Sequence, residues 1–206
     1  MKKEISTNRG FTLIELLIVL ALISILAAIL IVVINPTEIF KKSRDAKRVG
    51  DLKNVAQAIQ AALTDKPNLG LGRNGNTECI GGSQPTIFSS QYISGTSSFA
   101  TFTAVTGSPS QAIDGTGWIP VNLTNVAIAN LSSYPIDPVN RTTTPAYYYT
   151  YACDAQKGFF EIDARMESNV DAHTTDGGDN PLLYEEGSGK KGILPTATGT
   201  NFYQNY

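Results

Sequence analysis

The chain has 206 residues and a formal net charge of −2. That charge argues against a general nucleic-acid-binding surface. Its two cysteines and single histidine, His173, form no Cys/His zinc spacing, and no Gly-x-Ser-x-Gly nucleophile elbow is present, so an enzyme is not expected.

An apolar run from Phe11 to Ile34 follows a short polar leader, residues 1–10. Of its 24 residues, 18 are Leu, Ile, Val or Phe, and Glu15 alone is charged. As a helix, the run would be about 36 Å long, enough to cross a hydrocarbon core of roughly 30 Å with some tilt. We therefore predict a transmembrane or filament-core helix over residues 11–35. A carboxylate inside such a helix usually marks a functional position.

The leader has the charged start of a signal peptide, but its small residue, Gly10, lies before the apolar run. A secretory signal is cut beyond its apolar region, and here Asn35-Pro36 follow the run without an Ala-x-Ala site. Cleavage between Gly10 and Phe11 would instead keep the apolar helix on the mature chain. A plain membrane anchor with an incidental Gly10 is the alternative.

Residues 10–16 read Gly-Phe-Thr-Leu-Ile-Glu-Leu and open the apolar helix. This pattern resembles the leader of type IV pilins and type II secretion pseudopilins. The resemblance implies a prepilin peptidase that cuts after Gly10 and N-methylates Phe11. It also implies that Glu15, the fifth mature residue, meets the Phe11 amine of a neighbouring subunit in a filament core. A desolvated charge is tolerated there because it is paired.

Residues 36–65 predict an amphipathic helix that continues into the head. Asn35-Pro36 should interrupt the preceding helix, because proline removes a backbone hydrogen bond and disfavours helix in the residue before it. Beyond it, apolar residues recur mostly at steps of three and four, which indicates one buried helical face. That face comprises Ile39, Ala46, Val49, Leu52, Ala56, Ile59 and Leu63.

Residues 66–206 are expected to form a globular head with variable loops and a polar C-terminal tail. The resulting fold class is α+β: a long N-terminal helix, half apolar and half amphipathic, packed on a small antiparallel sheet, as in pilins. Residues 67–84 are rich in Gly and Asn and predict a loop. Residues 117–123 resemble an edge strand, because Pro120 cannot donate to a central ladder.

The clearest strands cover residues 146–153 and 159–165, joined by a turn into a hairpin. The second strand alternates apolar and polar residues, which predicts one packed face and one wet face. Its packed residues are Phe160, Ile162 and Ala164, and its wet residues are Glu161, Asp163 and Arg165.

Cys79 and Cys153 are the only thiols. A disulfide between them is expected if the head lies outside the cytoplasm. It would stabilise the fold by roughly 4 kcal/mol through closure of a loop of about 75 residues. Two unpaired thiols are the alternative.

Acidic residues cluster around Gly177-Gly178 near the C-terminus, where oxygen ligands on a tight turn suit calcium. The resemblance adds that some pseudopilins bind calcium in a C-terminal loop, so Asp176 and Asp179 are candidate ligands. The spacing does not match an EF-hand loop, and a solvated acidic loop is the alternative. No other cofactor is expected.

The resemblance implies a structural subunit of a type IV pilus-like filament serving adhesion, motility or DNA uptake. The implied partners are other copies of the chain, prepilin peptidase, an inner-membrane assembly platform, minor pilins and the membrane before assembly; no specific nucleic acid is predicted. The precursor would lie in the inner membrane and the filament at the surface or in the periplasm. The alternative is a pseudopilin of a type II secretion piston, favoured by a weakly similar Pro-Ile-Asp-Pro segment at residues 135–138.

Overall fold

The computed structural model describes residues 10–95, 104–126, 128–143, 145–168, 172–178, 180, 183–189 and 193. The chain divides into two compact units, Met1–Phe40 and Lys41–Tyr206. Helices and a sheet are both present, so the predicted α+β class is confirmed.

Helix α1, Leu13–Ile34, is apolar around its whole circumference. Among the side chains that the structure describes there, the large apolar ones are all exposed, from 47% at Val19 to 88% at Leu13. A helix that is hydrophobic all round belongs in lipid or in the core of an assembly. Nothing within the described chain covers it.

The predicted interruption lies at Asn35, between α1 and helix α2, Pro36–Asp65. Asn35 has φ 43°, in the left-handed region, which Asn tolerates better than most residues. Proline is well suited to the first helical position, because an N–H there would have no intrahelical partner. The Thr37 hydroxyl donates to Asn35 Oδ1 at 2.6 Å and closes the junction.

From Lys41 onward, α2 packs one face into the main core of the head. The predicted Leu52, Ala56 and Ile59 are buried in that core. Two other predicted members of the face are exposed: Ile39 at 50%, and Ala46. In the first turns of this face, charged residues are buried instead, and they bind residues that are far away in the sequence.

One sheet holds the strands of the head, in the order β2-β3-β1-β4-β5-β6. The strands are β1 Thr86–Ser89, β2 Ser94–Gly95, β3 Ala104–Gly107, β4 Tyr149–Asp154, β5 Phe159–Arg165 and β6 Leu183–Gly187. Two short helices, α3 Arg73–Asn76 and α4 Ala172–Thr175, lie in the connections. The β4–β5 hairpin is present as predicted.

The sheet is mixed, which corrects the expectation of a purely antiparallel one. β1 and β3 pair in parallel. The reason is topological: the chain passes from β1 to β2 at the edge and returns antiparallel to β2, so β3 runs in the direction of β1.

Strand β6 lies within the part of the chain that was predicted only to be a polar C-terminal tail. It pairs antiparallel with β5 from Arg165↔Leu183 to Glu161↔Gly187. A short apolar segment, Leu182-Leu183-Tyr184, lies within the otherwise polar sequence of this region.

The prediction of an edge strand at residues 117–123 is also wrong. The segment is irregular, with one isolated bridge between Asp114 and Asn122. Its Trp118 is 1% exposed and donates its indole N–H to the Pro135 carbonyl at 2.9 Å. This burial and this hydrogen bond hold the segment in place without strand pairing.

Both faces of the sheet are buried, so the predicted wet face of β5 is wrong. Phe160, Ile162 and Ala164 belong to the main core with α2, as predicted. On the opposite face, Glu161 and Asp163 are both 0% exposed. A second apolar cluster covers that side of the sheet; it comprises Ile87, Ile93, Val105, Ala146, Tyr148, Ala152, Leu183 and Ile193.

Arg48 is the fully buried cation that ties α2 to the rest of the head. Its guanidinium donates to Asp137 Oδ2 at 2.6 Å and Oδ1 at 3.0 Å, and to Asp45 Oδ1 at 2.7 Å. It also pairs with Glu167 Oε1 at 2.8 Å. Burial alone would lower the pKa of Arg48, but these partners together raise it, so the side chain stays charged.

The acidic partners of Arg48 are themselves held by backbone groups. Asp45 accepts from the Glu167 N–H at 2.9 Å and the Ser168 N–H at 2.8 Å. Asp137 accepts from the Val139 N–H at 2.7 Å. The network therefore joins α2, the Pro-Ile-Asp-Pro loop and the segment that follows β5.

A disulfide joins Cys79 to Cys153, with 4.7 Å between their Cα atoms. It fastens the loop after α2 to β4, and both residues are buried in the main core. The predicted pairing is present, and the alternative of two free thiols is not.

Replacement of Arg48 by Met should lower the free energy of unfolding by about 3–5 kcal/mol, because Asp45 and Asp137 would remain buried without their cation. Urea unfolding of the full chain in detergent, followed by Trp118 fluorescence, measures the loss. Lys47→Met is the matched control: Lys47 forms only an exposed pair with Asp51 at 2.8 Å, worth roughly 0.3–0.5 kcal/mol. Equal losses for the two variants would contradict the assigned role of Arg48.

The double variant Cys79→Ala, Cys153→Ala should unfold about 2–5 kcal/mol more easily than the parent, because the loop is no longer closed in the unfolded chain. Parallel denaturation curves with and without a thiol reductant give the comparison. The reductant should destabilise the parent alone. Alkylation of both cysteines in the folded, unreduced parent would contradict the pairing.

Candidate processing and assembly site

Gly10 and Phe11 lie immediately before α1, and both are exposed. Phe11 is 90% exposed. A Cβ added at Gly10 would meet nothing within 4 Å, so local packing places no demand for glycine there. The remaining residues of the predicted leader, 1–9, lie outside the described residues.

A capping box opens α1. Thr12 is the N-cap residue, and its hydroxyl accepts from the Glu15 N–H at 3.2 Å. In return, Glu15 Oε2 accepts from the Thr12 N–H and from the Thr12 hydroxyl, each at 3.0 Å. The reciprocal bonds satisfy donors that a helix start leaves open.

The capping role of Glu15 was missed by the sequence reasoning, although Thr-x-x-Glu before an apolar run is its signature. All of these bonds to Glu15 use Oε2. An ionised carboxylate has two oxygens and about four acceptor positions. Glu15 can therefore cap its own helix and still accept an ion pair from another molecule.

The apolar part of the site is helix α1, which is long enough to cross a membrane. Within the described residues, the stretch Leu13–Ile31 meets the length and composition of a membrane span, and none of it is buried. Its Ser24 hydroxyl donates to the Ala21 carbonyl at 2.8 Å. The one hydroxyl in the middle of the span is thus satisfied within the helix.

Asp176, one of the two candidate calcium residues, lies in the head. Asp176 Oδ1 accepts from the Gly178 N–H at 2.9 Å, and its Oδ2 accepts from the Glu185 N–H at 2.7 Å. Asp179 lies outside the described residues. Calcium at Asp176 and Asp179 stays a prediction, and the sequence reasoning missed a set of buried acids nearby on β5 and β6.

Residues 5–31 match a family profile described as the prokaryotic N-terminal methylation motif. Fimbrial protein Q of Moraxella bovis is 41% identical over 78 residues, which cover 37% of this chain and 48% of that protein. The match thus spans about half the length of this curated relative. No solved structure gives a significant match. The methylation motif, the apolar first helix and the fimbrial relative together make part of this chain similar to type IV pilins.

Proposed function

We propose that the chain is a structural subunit of a type IV pilus-like helical filament. The observation that carries this proposal is the Gly10-Phe11 leader boundary joined directly to α1, whose described large apolar side chains are exposed on every side. The chain is held in the inner membrane as a precursor, processed by a prepilin peptidase and assembled through α1. Its task is polymerisation and includes no catalytic step.

The apolar surface of α1 requires that the helix pass directly from the membrane into the filament core. Exposing one large aliphatic side chain to water costs about 1.5–3 kcal/mol, so a helix of this kind cannot leave the bilayer alone. Helices of neighbouring copies offer the same apolar cover as lipid tails. Transfer from membrane to filament core therefore keeps α1 covered throughout.

Processing supplies the charge that makes the subunit register specific. Cleavage after Gly10 leaves an α-amine on Phe11, which is cationic below a pKa of about 8. In a dry filament core, that amine needs a carboxylate, and Glu15 is the only charged residue between Phe11 and Ile34. Registers that leave either charge unpaired are penalised.

The fimbrial name of the relative supports a filament displayed at the cell surface. The head then faces outward and would serve adhesion, motility or DNA uptake. Minor pilins and an inner-membrane assembly platform are the further partners that such a filament requires.

A pseudopilin of a type II secretion system is the second candidate. The observation in its favour is the Pro-Ile-Asp-Pro segment, whose Asp137 binds the buried Arg48. The segment that resembles major pseudopilins therefore has a structural role in the head. Such a subunit would form a short periplasmic piston, whereas a pilus subunit would form long surface filaments.

Mass spectrometry of the exported protein should find N-methyl-Phe11 at its amino end. The reason is the exposed Gly10-Phe11 bond, where glycine serves no packing need. Gly10→Val provides the comparison, because it leaves the helix unchanged and should leave the leader uncut. An exported parent chain that still begins at Met1 would contradict the processing step.

Glu15→Gln should reduce the yield of sheared filaments at least tenfold while membrane insertion is unchanged. Gln can still form the capping box, but it cannot neutralise the Phe11 amine. An unpaired buried charge costs about 3–5 kcal/mol, and roughly 1.4 kcal/mol already corresponds to tenfold. Quantitative immunoblots of sheared and membrane fractions give the ratio.

Thr12→Ala is the matched control for that experiment. It removes the hydroxyl of the capping box, at a cost of about 0.5–2 kcal/mol to the helix start, but it keeps the carboxylate of Glu15. Filaments should therefore persist. Assembly that fails with Thr12→Ala and proceeds normally with Glu15→Gln would mean that the cap matters and the ion pair does not.

A further inference from the structure

Three arginines lie against the ring of Tyr147 at one end of the head. The guanidinium carbons of Arg48, Arg141 and Arg165 are 5.0, 5.4 and 5.9 Å from the centre of that ring, respectively. Tyr147 precedes β4 and is only 9% exposed. Arg48 is fully buried, whereas Arg141 is exposed and Arg165 is half-buried. Two of the three cations therefore reach the surface, and one aromatic ring holds them there.

The two surface arginines have no acidic partner. Arg141 donates its Nε–H to the Pro145 carbonyl at 3.1 Å, and the Arg165 side chain contacts the ring of Tyr147. Neither arginine forms an ion pair within the ranges that the structure describes. Because a guanidinium is planar and its N–H donors lie in that plane, contact with a ring leaves donors available. Their fork matches the oxygens of a phosphate.

The charges at this end of the head do not cancel. The ion-paired groups comprise three carboxylates and two guanidiniums, those of Asp45, Asp137, Glu167, Arg44 and Arg48. One surface arginine offsets the extra carboxylate, and the other gives the cluster a net positive charge. Lys42 stands on the same early part of α2; it is exposed and forms no ion pair with any described residue. This surface therefore attracts anions.

The arginine surface lies at the end of the head where α2 enters it. Tyr147 contacts Arg48, and the Tyr149 hydroxyl donates to Asp51 Oδ2 at 2.9 Å, so β4 advances along α2 in the same direction. The turn between β4 and β5 consequently lies at the opposite end. Arg44 is only ten residues beyond Ile34, the last residue of α1. Even a fully extended chain would keep these residues within about 36 Å of each other.

Lipid head groups are the anions that this tether brings within reach. A membrane that contains anionic lipids has a negative surface potential, which attracts basic residues next to a span. Phospholipid head groups also present phosphate oxygens, for which the arginine fork is suited. The chain itself thus keeps the arginine surface close to a layer of phosphates for as long as α1 stays in the bilayer.

We propose that Arg141 and Arg165, together with Lys42, dock the head of the membrane-held precursor onto anionic phospholipid head groups; this rests on the proposed function, which holds α1 in the bilayer. Docking places the end of the head that α2 enters against the membrane surface. Each basic residue near an anionic membrane favours attachment about fivefold, so the three together favour the docked state roughly a hundredfold.

The test inserts the full chain into vesicles of phosphatidylcholine, with or without phosphatidylglycerol, that carry a dansyl acceptor on the lipid head group. Trp118, the single tryptophan, is fixed in the core of the head and serves as the energy donor. Transfer should be higher with phosphatidylglycerol, and the difference should disappear at about 1 M salt, where the Debye length falls to about 3 Å. Equal transfer with both lipids at low salt would overturn the proposal.

Flotation with the vesicles measures insertion separately. A chain that does not float would contradict the proposed function, and the docking with it. A chain that floats with both lipids, yet shows equal transfer, would contradict the docking alone.

The double variant Arg141→Gln, Arg165→Gln should weaken docking about thirtyfold. Arg141→Lys with Arg165→Lys keeps both charges and should retain most of the docking. Lys42→Gln does not touch Tyr147; it should weaken docking about fivefold and gives the same readout should the glutamine variant not fold.

The matched control is Lys66→Gln with Lys157→Gln, which removes the same charge at the other end of the head. Lys66 follows α2, and Lys157 lies in the turn between β4 and β5. Docking should be unchanged. Equal losses for the control and for the arginine variant would overturn the assigned surface. An arginine variant that docks normally but yields fewer sheared filaments would assign the arginines to a contact with a neighbouring copy, and would also overturn it.

Discussion

A helix that is apolar on every side must always be covered by lipid or by other apolar groups. Helix α1 exposes its described large apolar side chains around the whole circumference, and only lipid or other apolar helices can cover them. In the proposed function, this need makes the helix a membrane anchor first and a polymerisation element second. The capping box at Thr12 and Glu15 lets the helix begin cleanly while a carboxylate remains available to a neighbour.

The features that could be predicted from sequence are those encoded by local patterns. The apolar run defined α1, Asn35-Pro36 defined its end, and alternation defined the β4–β5 hairpin. Each depends on residues a few positions apart, so periodicity and turn chemistry were sufficient. The predicted processing position also rests on a contiguous motif, and it stays a prediction.

The features that could not be predicted depend on contacts between distant residues. Arg48 reads as a solvated helical residue, yet Asp137 and Glu167 allow it to be fully buried. Glu161 and Asp163 read as a wet strand face, but a second apolar cluster covers them. The sequence of residues 117–123 resembles an edge strand, but the burial of Trp118 holds the segment in an irregular conformation instead. Periodicity reports which side chains share a face, and tertiary packing decides whether that face meets water.

Helical reconstruction by electron cryo-microscopy of filaments sheared from the native host tests the central claim most directly. We expect α1 helices from successive copies to fill the filament core, with each Glu15 carboxylate within about 4 Å of a neighbouring Phe11 amine. Filaments that contain the chain but leave α1 outside their core would contradict the account. So would a processed chain found solely as a bilayer-bound monomer.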